Sequence, residues 1–318
     1  MAAILERPLE ILTKLRYNEH QENCRMITPA EEAYVLTRAY VPEHIVSLMT
    51  LISKGDPFLI EDHLGFVKDN WLILVGYPLG GNFSQERCER ILKQAVDTFR
   101  PEYLWFIGPD IPPSLLDSCK ERQTDQYYTF DIEKTILRSS LQRAADKASE
   151  KLIIEKGRSI SKEHQALISE LLNREKLPDR VRELYRAMPE YVGRSSSAWT
   201  IDARDLTGKL CAFSVIELGA KNFSAYILGS HSKKRYVPHA SDLLFLEMIN
   251  LTREHGKNTI NLGLGVNEGI RRFKEKWGGT PFLTYEFCES FYGTTRRVSL
   301  IESLMGKFSY TKNFMRSQ

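Results

Sequence analysis

The sequence predicts a mixed α/β protein built as two similar domains, and three observations lead there. Its 318 residues suit two domains of ordinary size, or one large one. Each half runs through antiparallel strands, a long amphipathic helix and one further strand. A strand-helix-strand unit brings its second strand back parallel, whereas short turns leave neighbours antiparallel, so each half needs a sheet of both kinds, α/β by one label and α+β by another. No residue-level repeat accompanies the shared order, so the duplication is architectural. The boundary is expected near residue 135, giving an N-terminal domain at 1–135 and a C-terminal domain at 136–318.

The elements follow in order. Thr28-Pro29-Ala30-Glu31-Glu32 supplies an N-cap, a proline at the first helical position and early acids, opening helices that run to Ser53 with a step near Val41-Pro42. Residues 58–60, 65–67 and 71–75 read as strands, with Lys68-Asp69-Asn70 as a turn. Beyond Gly80-Gly81-Asn82, Cys88, Ile91, Leu92, Ala95, Val96 and Phe99 share a helical face until Arg100-Pro101 stops it. A strand at 103–107 follows, and Trp71, Trp105 and Phe106 are expected in core. From about Asp110 to Met188 the composition turns polar and the expectation is helix, with Ser161-Lys162-Glu163-His164 opening a segment that carries Leu167, Ile168, Leu171 and Leu172. Strands return at 197–201, 210–218 and 223–229. A helix at 238–255 ends at Gly256, a strand at 259–262 leads to a short helix through Phe273 and Trp277, and 282–287 is the last strand.

Hydrophobic residues at 42% and charged residues at 27% describe a folded chain rather than a disordered one. Lys+Arg 44 against Asp+Glu 41 leaves a net charge of +3, too balanced for a dedicated nucleic-acid binder, so any polyanion contact has to be local. Cys24, Cys88, Cys119, Cys211 and Cys288 are odd in number, widely spaced and never arranged as CxxC, which argues against a disulfide framework and against a zinc site. Seven scattered histidines add no ligand spacing, so no metal site is expected. Glu6, Arg7 and Glu10 interrupt any signal-peptide core, and no window nears the ~18 apolar residues of a membrane span. A reducing, cytoplasmic setting and a chain with no integral membrane segment are the expectation.

Residues 223–240 hold the most chemical information. A strand ends at Leu228-Gly229, a basic loop Lys233-Lys234-Arg235 follows, and a helix opens at Pro238-His239-Ala240-Ser241. Unpaired N-H groups and the dipole at a helix start favour phosphate, and Arg235 and the lysines add charge. A solvated basic loop before an ordinary helix is the other reading. Asn261 to Gly269 is Gly-rich without dinucleotide spacing, and no Gly-Lys-Ser/Thr run occurs.

Arg235-Tyr236-Val237-Pro238-His239-Ala240 resembles the Gln/Arg-x-x-Gly-x-Gly/Ala motif of the GNAT acyltransferase superfamily, with Pro238 in place of the first Gly. Proline removes one N-H from the cradle. Asn261-Leu262-Gly263-Leu264-Gly265 and Gly269-Ile270-Arg271-Arg272-Phe273-Lys274-Glu275-Lys276-Trp277-Gly278-Gly279 look like the corresponding stretch of Fem-type aminoacyltransferases and phosphatidylglycerol lysyltransferase-like proteins. This resemblance implies two tandem GNAT-like domains, with the donor held by the C-terminal one and the acceptor entering a cleft between the halves. It implies Leu228, Gly229, Arg235, His239, Ala240 and Ser241 as donor-binding residues, with backbone amides around Ile227, Leu228 and Gly229 polarising the donor carbonyl. By the same resemblance Lys274, of the Phe-Lys pair, meets the phosphate-bearing donor. The co-substrate would be acyl-CoA or an aminoacyl-tRNA, no cofactor would be bound permanently, and the partners would be an acyl donor, an amine or hydroxyl acceptor and tRNA.

The helix carries Phe273 where GNAT enzymes often place a tyrosine acid, which favours Fem-like transfer over release of a thiolate. An amine acceptor must lose a proton, and Glu217, His231, His239, Tyr285 and Glu286 are the candidate bases. Glu217, between Ile216 and Leu218, is taken first because partial burial would raise its pKa, while exposure on a polar strand face would leave it bland. No Cys or Ser sits beside a His and an acid, so direct transfer is expected rather than an acyl-enzyme. The contrasting reading is a degenerate GNAT-like protein that binds a ligand or partner without catalysis.

Overall fold

A computed structural model of the chain describes residues 25–292. Cys24 and the N-terminal Glu6, Arg7 and Glu10 lie outside them. The chain divides into two compact units: unit 1 takes Met1–Ala33, Lys54–Thr124 and Glu286–Gln318, and unit 2 takes Tyr34–Ser53 and Asp125–Tyr285. Among the described residues no helix is long and apolar enough to cross a membrane.

Helix α1 (Pro29–Arg38) opens as its sequence demands. The Thr28 amide donates to Glu31 Oε2 at 2.9 Å and Glu31 N donates back to Thr28 Oγ1 at 3.3 Å, a reciprocal cap. A 3-10 turn at Pro42–His44 and helix α2 (Val46–Ser53) complete the first helical stretch, broken where Pro42 was expected to break it.

In unit 1, strands β1 (Arg25–Met26), β2 (Asp56–Ile60), β3 (His63–Lys68) and β4 (Trp71–Val75) lie side by side and antiparallel. Helix α3 (Gln85–Phe99) carries the chain across to β5 (Tyr103–Gly108), which pairs parallel with β4 from Trp71↔Tyr103 to Val75↔Ile107. Ser84 caps α3 by accepting from Arg87 N at 3.3 Å. Cys88, Ile91, Leu92 and Ala95, the predicted face, are buried with Phe58, Leu72, Leu104 and Phe106. Phe106 closes the end of the parallel pair: a Cβ at Gly76 would stand 2.4 Å from its ring and one at Gly108 2.7 Å, so both positions must be glycine. A short α4 (Pro113–Leu116) precedes β6 (Cys119–Asp131).

Unit 2 repeats the order. Helix α5 (Ser139–Ser149), β7 (Leu152–Gly157), α6 (Lys162–Arg174) and α7 (Asp179–Arg194) lead into antiparallel β8 (Ala198–Asp205), β9 (Leu210–Glu217) and β10 (Ser224–His231). Helix α8 (Ala240–Glu254) then crosses to β11 (Thr259–Leu264), parallel to β10, and α9 (Glu268–Lys276) leads to β12 (Thr280–Phe291). Strand order in this unit is β6-β11-β10-β9-β8-β7. One core gathers Leu141, Ile216, Phe245, Ile260 and Trp277 under α5, α8 and α9. Another gathers Ile45, Leu48, Leu167, Met188, Phe213 and Leu228 under α2, α6 and α7. Both units thus hold the mixed α/β sheet that the sequence predicts.

Three expectations need correction. The polar stretch from Asp110 to Met188 is not simply helical, because β6 and β7 lie within it. The first half of β6, Lys120 to Gln126, is polar throughout and becomes a strand by pairing, not by an apolar pattern of its own. The second helix of that stretch does start at Ser161, where Ser161 N donates to His164 Nδ1 at 3.1 Å and His164 Nε2 meets Asp202 Oδ1 at 2.9 Å. Helix α8 begins at Ala240 rather than Pro238, since His239 takes a left-handed φ of 67° and so stands outside the helix.

The third correction concerns cysteine. Cys119 and Cys288 form a disulfide across a separation of 169 residues, with Cα atoms 5.5 Å apart. Spacing alone could not show it, because the pairing follows from strands β6 and β12 lying side by side in unit 1. Cys88 and Cys211 are free and buried. A bridge closing so long a loop contributes about 2–5 kcal/mol. Reductant should therefore lower the denaturation midpoint of the parent chain and leave that of Cys119→Ser, already lower, unmoved; equal midpoints for the parent with and without reductant would show that the bridge carries no stability.

Candidate functional site

The site begins with two strands that part. β10 pairs with β11 at Ser224↔Ile260 and Ala225↔Asn261, and the parallel ladder ends there. On its other edge β10 continues against β9, but the register slips between Tyr226 and Leu228, so Ile227 is a bulged residue. β11 turns away with a slip of its own between Asn261 and Gly263, where φ is 73°. Leu228 and Gly229, two predicted donor-binding residues, lie immediately after the bulge on the open stretch. Gly229 has no room for a side chain, since a Cβ would come 2.5 Å from the Tyr226 hydroxyl, and its carbonyl accepts from Tyr185 Oη at 3.0 Å.

A cleft of about 480 Å³ opens at the start of α8. His239, Ala240 and Ser241 line it as the sequence suggests, together with Cys211, His231, Ser232, Tyr236, Val237, Pro238, Asp242, Phe273 and Lys276. The loop before it is anchored to α6: Lys233 N donates to Glu170 Oε1 at 2.7 Å and Ser232 Oγ to Glu170 Oε2 at 3.3 Å. Arg235 is exposed and outside the lining, its backbone N-H on Ser232 Oγ at 3.2 Å. Burial, with the charges of Arg174 and Lys233, holds the His231 imidazole below its ordinary pKa.

The cleft already contains an anion. Asp242, 4% exposed, accepts from Lys276 Nζ at 2.6 Å and Trp277 Nε1 at 3.0 Å on Oδ1, and its Oδ2 meets His239 Nδ1 at 3.0 Å. Burial alone would raise its pKa, but these donors outweigh burial and hold it below the usual carboxylate range. A diphosphate placed against the helix start would meet this carboxylate as well as Lys276.

Lys274 lies two residues before Lys276 and in a different environment. Successive residues of a helix turn by about 100°, so the two side chains leave on nearly opposite sides. Lys274 does not stand on a solvated helix face: it is 4% exposed, its Nζ donates to the Leu264 carbonyl at 2.5 Å, and it lies 5.6 Å from the centre of the Tyr128 ring. Burial drives its pKa down to about 7, partly opposed by the Asp125 carboxylate. Phe273 packs on Phe245 and faces the cleft, which turns Lys274 toward the end of β11.

The remaining candidates are held elsewhere. Glu217 is wholly buried, its carboxylate accepting from the Tyr191 hydroxyl, from Gly219 N at 2.7 Å and from Ser195 Oγ at 3.4 Å. Glu286 belongs to unit 1, paired with Arg122 Nε at 3.0 Å and Thr124 Oγ1 at 3.0 Å. Tyr285 is buried against Tyr127. Sequence reasoning passed over Asp125, Tyr128, Tyr185, Tyr226 and Asp242, most of whose partners are distant in the chain; Asp242, an acid in the first turn of a predicted helix with one partner, His239, only three residues away, was the most findable.

No family model and no curated protein matches the chain. Solved structures do. The C-terminal domain of a protein described as a lysylphosphatidylglycerol synthetase from Agrobacterium fabrum matches with a TM-score of 0.52 at 17% identity, over 88% of this chain and 97% of that one. FemX matches at 0.55 and 10% identity, over 83% and 96%. A tandem GNAT protein from the clavulanic acid biosynthesis pathway matches at 0.52 and 13% identity, over 86% and 100%. The chain has the GNAT-like fold. The cleft at the start of α8 takes in Tyr236, Val237, Pro238, His239 and Ala240 of the segment 235–240.

The low pKa of Lys274 carries a sign that can be measured. An unfolded lysine keeps its proton to about pH 10, so between pH 7 and 10 the unfolded chain binds a proton that the GNAT-like fold has released. This group therefore adds stability as pH rises through that window and costs stability below it. The unfolding free energy of the parent relative to Lys274→Met should rise by roughly 3–5 kcal/mol from pH 7 to pH 10. A difference that stays flat with pH would mean that Lys274 remains charged in the fold.

Proposed function

We propose that this protein is an N-acyl or aminoacyl transferase whose unit 2 holds the donor. The observation that carries this reading is the early end of the β10-β11 ladder at Ala225↔Asn261, with a bulge at Ile227. Strands that part in this way free backbone groups near Leu228 and Gly229 to hydrogen-bond a donor carbonyl, and a preorganised N-H is most effective where charge develops. The likeness to aminoacyl- and acetyl-transferring folds supports the reaction class.

In this reading the donor's acyl end enters between the strands, and its remainder lies in the cleft lined by His239, Ala240, Ser241 and Lys276. The acceptor amine or hydroxyl attacks the carbonyl directly, and the donor's ester bond breaks as the new amide or ester bond forms. The leaving oxygen departs as the donor's free hydroxyl with the proton that the acceptor gives up, and Lys274, as ammonium, stabilises the charge that develops on the donor. Pro238, the Asp242 carboxylate in the cleft and the exposed position of Arg235 favour an aminoacyl-tRNA donor over acyl-CoA, whose diphosphate needs unobstructed N-H groups. No residue supplies the tyrosine acid that a thiolate would use from α9.

The test is incubation with aminoacyl-tRNAs and acyl-CoAs in the presence of amine acceptors, with mass spectrometry of the products. Lys274→Met should lower kcat/KM by ~10²- to 10³-fold while Lys276→Met raises KM with a smaller loss in kcat. If the ammonium is the working form, turnover of the parent declines as pH rises through about 7. Ligand binding by thermal shift with no product from either donor class would instead mark a binding protein without catalysis.

A further inference from the structure

We infer that Asp125 is the positioning residue for Lys274: its carboxylate clasps the Gly265-Val266 turn and so aims the Leu264 carbonyl that holds the Lys274 amine. The inference rests on the proposed role of Lys274, although the geometry stands apart from it.

Asp125 lies on β6 and reaches the end of β11. Its Oδ1 accepts from Gly265 N at 3.2 Å and its Oδ2 from Val266 N at 2.8 Å, so both oxygens hold the turn. The turn needs holding. Val266 sits at φ 57°, a left-handed conformation that a β-branched residue resists, with its side chain 45% exposed and giving little packing in return. At the residue before it a Cβ would lie 2.7 Å from Asp125 Oδ1, so any side chain at Gly265 would push the carboxylate aside. One residue earlier, the Leu264 carbonyl receives Lys274 Nζ at 2.5 Å. The Gly263-Leu264-Gly265 run, which matched no nucleotide loop, is thus explained as a backbone shaped to bring one carboxylate and one carbonyl around one lysine.

Charge reinforces the geometry. From β6, Asp125 and the Tyr128 ring face Lys274; from α9, Glu275 binds the Tyr128 hydroxyl at 3.2 Å and Arg271 lies against Gly265. Of these groups Asp125 favours the ammonium against burial.

The experiment follows the Nζ resonance of Lys274 in 15N-lysine-labelled intact protein as pH is varied, with Lys274→Met to assign it. In Asp125→Asn, which keeps an acceptor but loses the charge, the midpoint should move to lower pH, while Glu275→Gln moves it less. Gly265→Ala, which displaces the carboxylate without removing it, should shift the midpoint in the same direction and serves if Asp125→Asn does not fold. Where turnover is detected, its pH profile should move with the resonance and Asp125→Glu should restore part of it. A Lys274 midpoint identical in the parent, Asp125→Asn and Gly265→Ala overturns the inference. A shifted midpoint with no turnover in any form leaves the positioning role in place and removes the transferase reading instead.

Discussion

Two parallel strands that pair for only two residues leave backbone donors and acceptors that the sheet cannot satisfy, and unit 2 is organised around that deficit. Each orphaned group, left alone in the interior, would cost about 1–3 kcal/mol. Side chains answer them one by one. Tyr185 donates to the Gly229 carbonyl, Asn261 Oδ1 accepts from Gly263 N at 2.8 Å, Lys274 donates to the Leu264 carbonyl, and Asp125 accepts from Val266 and shares the Gly265 N-H with the Gln126 carbonyl. In unit 1 the β4-β5 ladder runs for five register pairs, and the Phe106 ring fills the space beside Gly76 and Gly108 at its end.

The two lysines of α9 show how a short helix can divide charge between two environments. Lys276 faces the cleft and is matched by a carboxylate, so its charge is neutralised at short range. Lys274 is turned inward to a carbonyl, and the carboxylate that favours its charge, Asp125, lies on β6 and is already engaged by backbone N-H groups. The first arrangement stabilises a charged pair; the second leaves an amine whose protonation is sensitive to what enters beside it.

Much of this fold was legible because strong periodicity survives without tertiary context. The buried face of α3, the Ser161 helix start and the strand-helix-strand order of both units all follow from patterns in the chain. What escaped was structure made by pairing at long range: β6, whose polar first half is a strand only beside its neighbours, and the Cys119–Cys288 bridge. The site was legible in part for the same reason. His239, Ala240 and Ser241 sit at a helix start that local sequence announces, whereas the burial of Lys274 depends on β6 and the Leu264 carbonyl, and amphipathic spacing assigns a lysine to the surface by default.

The interrupted course of unit 1 has a consequence for how the chain is made. β5 pairs with β4 on one edge and β12 on the other, yet the part of β12 that pairs with it, Glu286 to Phe291, is synthesised only after all of Asp125–Tyr285. For that interval Tyr103, Leu104, Trp105, Phe106 and Ile107 line an open strand edge on the nascent chain, apolar and able to pair with any other exposed strand. Unit 2 has every residue it needs once Tyr285 is made, while unit 1 still waits for Glu286 onward. Vectorial synthesis therefore completes unit 2 first and leaves the β5 edge of unit 1 without its second neighbour for longer.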